Sequence, residues 1–151
     1  MKSVPRVYLD ANVLIAAFEN PGAYSDHAWW IMHAVERGEI TAATSEITLA
    51  EVLVKPLQIG AADLADGYQQ IIVNAPGFDV CPVARDVLVS AAELRAKRNS
   101  IRLPDAIHLA TAMNMACSHI VSGDRRLPSI GEVAVLPISA FTLDDIMADR
   151  K

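Results

Sequence analysis

Short β-favouring runs alternate with helical stretches along the chain, and this alternation restricts the fold more than any other property of the sequence. Residues 6–9 (RVYL) form a strand-like run that stops at Asp10, and 12–19 reads as a helix ended by the Asn20, Pro21, Gly22 turn. Ser25 can cap a second helix that stops at Gly38, and 40–43 is a second short strand. Thr48-Leu-Ala-Glu51 has the form of a capping box, with Ser45 as a competing cap one turn earlier, and Lys55-Pro56 is expected to close this short helix. A helix over 63–73, a strand over 78–80 and a longer helix over 85–98 follow. Pro104 suits the first turn of the next helix, with Asp105 directly behind it. Residues 119–122 and 133–136 read as strands, and Thr142 heads a terminal helix in which Asp145 stands in for the usual Glu. Strands separated by helices pair in parallel through right-handed crossovers. The expected fold is therefore α/β, a three-layer sandwich with a mainly parallel sheet flanked by helices.

A chain of 151 residues with a hydrophobic fraction of 52% fills one core, so a single domain over 1–151 is expected. No repeat, linker or low-complexity tract divides it. The formal net charge of -5 argues against a protein that coats nucleic acid by bulk attraction, while leaving room for a local basic patch beside an acidic pocket. Cys81 and Cys117 lack any metal-ligand or redox spacing and read as buried thiols in a reducing cytoplasm. The apolar N-terminal run is interrupted by Arg6, Asp10 and Asn12, so neither a signal peptide nor a membrane span is expected.

Acids occupy four places where such a sheet would gather ligands. Asp10 follows the apolar run VYL and Asp124 follows HIVSG, while Glu51 and Asp105 lie in the first turns of helices. In an open parallel sheet the carboxyl ends of the strands form the binding crevice, and all four would converge there. Each has an ordinary structural explanation: a helix cap for Asp10, the capping box for Glu51, the helix dipole for Asp105 and a turn for Asp124. It is the set that carries a signal. Four carboxylates in one pocket raise each other's pKa unless a cation offsets them. Oxygen donors without a His/Cys cluster suit Mg2+ or Mn2+ and not zinc. One or two such ions can lower the pKa of a water and neutralise charge on a phosphodiester.

With these motifs in place the chain resembles the PIN-domain nucleases, and within them the VapC-type toxins of toxin-antitoxin pairs. YLDANVLI, SEITLAEVL, LPDAIHLATA and VSGDRRL match that family's four motifs over almost the whole chain. The resemblance implies a Mg2+/Mn2+ site formed by Asp10, Glu51, Asp105 and Asp124 that cuts single-stranded RNA. It also implies supporting roles for Asn12 and Ser122 in orienting an acid or a water. A VapB-like antitoxin and a second copy of the chain are the implied partners, with Tyr24 and Trp29 as candidate contacts.

Other features bear on the same reading. Arg125 and Arg126 follow the fourth acid and are candidate RNA contacts, and Arg95, Lys97, Arg98 and Arg102 precede the third. His108 shares a helix face with Asp105 but reads as a polar core or pocket-wall residue. Two alternative functions fit parts of the pattern. A haloacid-dehalogenase-like phosphatase would use Asp10 as nucleophile, but it would want a second Asp at position 12 and a downstream Lys motif. A non-catalytic RNA- or partner-binding module would keep the fold without the reaction.

Overall fold

The computed structural model describes residues 3–19, 22, 25–124, 127–140 and 142–148. Its elements run β1 (Arg6–Leu9), α1 (Ala11–Glu19), α2 (Ser25–Glu36), β2 (Thr41–Ser45), α3 (Ile47–Val52), α4 (Val54–Gln58), α5 (Ala62–Asn74), β3 (Phe78–Cys81), α6 (Arg85–Lys97), α7 (Leu103–Asn114), β4 (His119–Ser122), β5 (Ala134–Pro137) and α8 (Leu143–Ala148). The described strands form one sheet in the order β3-β2-β1-β4-β5, and every pairing is parallel.

Side-chain alternation along β1 divides the core. Val7 and Leu9 point to one face, where they pack with α1, α2 and α5; Tyr8 points to the other, against α6 and α7. Because both faces are covered by helices, β4 is buried throughout and β1 from Val7 onward, with no polar alternation. These are the three layers the sequence implies. The chain runs from β1 outward to β2 and β3, then returns to the other side of β1 to place β4 and β5. That reversal opens a crevice between β1 and β4 at their carboxyl ends.

Several local expectations change. Pro56 does not close a helix: α3 ends at Val52, and Pro56 sits third in the separate helix α4. The first N–H groups of a helix have no partner within it, so proline's missing donor costs nothing there. The capping box does not form. Thr48 Oγ1 lies 2.7 Å from Thr44 Oγ1, and it is Ser45, the competing cap, whose Oγ accepts the Ile47 N–H at 3.2 Å. The second strand spans 41–45, since Thr41 pairs with Arg6 at the start of β1. Cys117 is buried, but Cys81 is only partly so. Thr142 does cap α8, accepting the Asp145 N–H at 3.1 Å and donating to its Oδ2 at 2.6 Å. The turn at Asn20 and Pro21 lies outside the described residues, as do Tyr24, Arg125 and Arg126. No described helix is long and apolar enough to cross a membrane.

Candidate active site

Asp10 is the first residue beyond β1, and its N–H still donates to Val121 O at 3.3 Å, so it remains in register with β4. Its carboxylate is buried, at 7% exposure, and both oxygens are engaged. Oδ1 accepts the N–H groups of Asn12 at 3.0 Å and Val13 at 3.4 Å, capping α1. Oδ2 accepts the Ser122 hydroxyl from the end of β4. Asp10 thus caps α1 and also lines the cleft described next. Burial pushes its pKa up from the ordinary carboxylate value, and the Ser122 hydroxyl and the two N–H groups oppose that shift.

A cleft of about 400 Å³ opens beside this carboxylate, and Asp10, Glu51, Asp105 and Asp124 all line it. They come from β1, α3, α7 and the turn after β4, segments far apart in sequence. Asn12 and Ser122 line the same cleft. Ser122 Oγ also accepts the Asp124 N–H at 2.9 Å, which ties the fourth acid to the first through one hydroxyl. Gly123 lets this turn close onto α1: a Cβ built there would meet Asn12 Cβ at 3.1 Å.

Two features of the cleft go further than the sequence reading: His108 is the polar core and pocket-wall residue expected, with partners that were not, and Arg102, one of the flanking bases, reaches the acids themselves. Arg102, at the N-cap of α7, places Nε 3.6 Å from Asp105 Oδ2 and Nη2 4.0 Å from Asp124 Oδ2, with its side chain 63% exposed. His108, 4% exposed on α7, joins the sheet to the cleft. Its Nδ1 is 2.5 Å from the Tyr8 hydroxyl and its Nε2 is 2.5 Å from Glu51 Oε1. The i to i+3 spacing to Asp105 signals a shared helix face, but nothing in the sequence pairs His108 with residues 100 and 57 positions away.

The lining fits a hard divalent cation. Four carboxylates supply oxygen donors, and both nitrogens of His108 are already engaged, which leaves no imidazole free for zinc. Among the described residues no three acidic, His or Cys side chains draw together into a closed cage. Mg2+ does not demand one, since it keeps several waters and takes one or two carboxylates directly. An aspartyl nucleophile fits less well, because both Asp10 oxygens accept hydrogen bonds that fix the carboxylate in place.

A parallel five-stranded sheet flanked by helices, with acids at its switch point, is an α/β scaffold, and the comparisons narrow it. The PIN-domain family model matches residues 7–133, so the chain belongs to the PIN-domain family. Membership in this nuclease family supports a hydrolase acting on nucleic acid. No curated protein matches the sequence. Among solved structures, a toxin-antitoxin complex from Klebsiella pneumoniae is 24% identical, with a TM-score of 0.63 over 85% of this chain and 95% of that one. VapBC2 from Rickettsia felis, bound to a DNA fragment from its promoter, is 15% identical, with a TM-score of 0.66 over 87% and 98%. VapC20 of Mycobacterium tuberculosis, a sarcin-ricin loop cleaving toxin, is 16% identical, with a TM-score of 0.67 over 85% and 98%. These likenesses establish the shared fold.

Proposed function

We propose that this chain is a Mg2+- or Mn2+-dependent endoribonuclease that cuts single-stranded regions of RNA as the cytoplasmic toxin of a toxin-antitoxin pair. The observation that carries the reading is the arrival of carboxylates from four separate segments in one cleft at the β1/β4 switch point. Asp10, Glu51, Asp105 and Asp124 would hold the metal. When bound, a divalent ion supplies an activated water and offsets charge on the phosphate.

The chain's own groups prepare that chemistry. The Ser122 hydroxyl and the first N–H groups of α1 orient Asp10, and the start of α7 stabilises the Asp105 carboxylate through the helix dipole. Asn12 lines the cleft with an exposed side chain and can orient water or a phosphate. Arg102 offers a guanidinium for an RNA phosphate beside the acids. Arg125 and Arg126 are proposed as further phosphate contacts from the chain that follows Asp124.

A VapB-like antitoxin and a second copy of the chain are the proposed partners. Support comes from the toxin-antitoxin complexes that share the fold and from the exposed Trp29 and Trp30 on α2, the latter 68% exposed. The test is incubation of the purified chain with RNAs. Wild type should cut with Mg2+ or Mn2+, and Asp10→Asn should not. Cutting that persists in EDTA, or in Asp10→Asn, rejects the mechanism. RNA bound but never cut across a broad set of metals and substrates would favour a binding module.

A further inference from the structure

We infer that His108 is a positioning residue for Glu51, holding one of its carboxylate oxygens from within the protein so that the other faces the cleft, with Tyr8 setting the orientation and tautomer of the ring. The inference rests on the reading of the cleft as a divalent-cation site, and it concerns a bond that exists without the cation.

The hydrogen-bond chain can be followed from the sheet outward. The Tyr8 oxygen accepts the Ser45 N–H at 3.1 Å and has the Thr44 side chain beside it, whose own hydroxyl donates to Leu9 O at 2.8 Å; His108 Nδ1, at 2.5 Å, is the ring acceptor placed for the phenol proton. Nδ1 is then the acceptor, Nε2 carries the ring proton, and that proton is donated to Glu51 Oε1 at 2.5 Å. Tyr8 is fully buried, and burial holds its phenol well above the ordinary value, which keeps it a neutral donor. The two rings meet edge to face, with centroids 5.7 Å apart, which restricts rotation of the imidazole.

Glu51 needs this support more than the other acids. Asp10 is clamped by backbone and Ser122, whereas Glu51 extends from the six-residue helix α3 with 39% of its side chain exposed. A free Glu in that position samples several rotamers, and ordering it costs side-chain entropy. His108 comes from the part of α7 that is buried from Ala106 to Ala112, among the most firmly packed elements in the fold. The bond therefore transmits the rigidity of the core to a carboxylate on a short surface helix, in the way that a fixed partner outside the ligand set orients a metal-binding group.

The experiment compares wild type, His108→Gln, and the double variant Tyr8→Phe/His108→Leu, which removes the two side-chain partners together and leaves the Ser45 N–H without its Tyr8 acceptor, a loss that the melting temperature reads. Mn2+ affinity by electron paramagnetic resonance, melting temperature and RNA cleavage are measured for each. The His108 tautomer is read from ring nitrogen shifts of the metal-free wild type. Expected results are an Nε2–H ring, Mn2+ affinity within a few-fold of wild type for His108→Gln, and a loss of about 10–100-fold for the double variant. Placing the double variant in a Glu51→Gln background should add little further loss. An Nδ1–H ring overturns the inference even if the double variant does not fold, as does a folded double variant that binds Mn2+ like wild type. A wild type that binds no Mn2+ overturns the metal reading itself and this role with it.

Discussion

Ser122 and Asp10, 112 residues apart, are joined side chain to side chain at the carboxyl ends of adjacent strands, and the same Ser122 oxygen accepts the Asp124 N–H. One hydroxyl thus aligns two acids. Ser122→Ala removes the donor to Asp10 Oδ2 and the acceptor for Asp124 N–H in a buried position. Cleavage should fall about 10–100-fold, with destabilisation of about 1–3 kcal/mol. Single-turnover cleavage and denaturant melts measure the two effects; activity equal to wild type would remove Ser122 from the site.

Asp10→Asn separates catalysis from stability. The buried carboxylate is destabilised by its surroundings when no cation is near, and an amide keeps an oxygen for the Asn12 and Val13 N–H groups. In EDTA the variant should melt at or above the wild-type temperature. Millimolar Mn2+ should raise the melting point of wild type and leave the variant unmoved, because a ligand stabilises only the state that binds it. A marked drop in melting temperature in EDTA would show that the charge itself supports the fold.

Arg102 sits at the rim of the cleft, not in the core, so its replacement by Ala should leave stability within about 0.5 kcal/mol. RNA affinity should weaken, and the slope of log affinity against log salt should shrink by about 1, as expected for one lost phosphate contact. Mn2+ affinity should hold or rise, since a positive charge leaves the neighbourhood of Asp105 and Asp124. An unchanged salt slope would exclude the phosphate contact.

Cys117 is buried against α7, and that burial raises its thiol pKa to about 12. At pH 8 its thiolate fraction is about 1 in 10⁴, so alkylation of native protein should label Cys81 ahead of Cys117, with Cys117 reacting only on unfolding. The unfolded thiol ionises first, near its ordinary value. This residue's contribution to stability is therefore present below that value and is lost as pH rises from there towards 12. Mass spectrometry of the labelled protein decides the order.

The legible parts of this molecule were those set by local pattern. The branched run before Asp10, the proline in the first turn of α7 and the Thr142 cap each announce their element within a few residues. The carboxyl-end rule then brought the four acids together. What escaped was chemistry made by distant residues. Thr48 and Glu51 have the spacing of a capping box, yet Thr48 turns back to Thr44, one turn earlier, and Glu51 reaches His108, 57 residues away, a partner no local pattern announces. Pro56 reads as a terminator, but a helix beginning two residues before it tolerates the ring. Arg102 looked like one of a run of bases, and only the junction of α6 and α7 turns it towards the acids.

The return of the chain to the far side of β1 has a consequence during synthesis. Everything from Asp10 to Asp105 can be made while the neighbouring position in the sheet still waits for the segment beginning at His119. Translation delivers the N-terminal part first, and pairings across such separations form late. On the proposed activity, a polypeptide emerging from the ribosome would lack the β4 side of the cleft, Ser122 and Asp124, until most of it has been released. A fragment ending at Ser118 should accordingly show neither Mn2+ binding nor RNA cleavage, and activity in such a fragment would refute this delay.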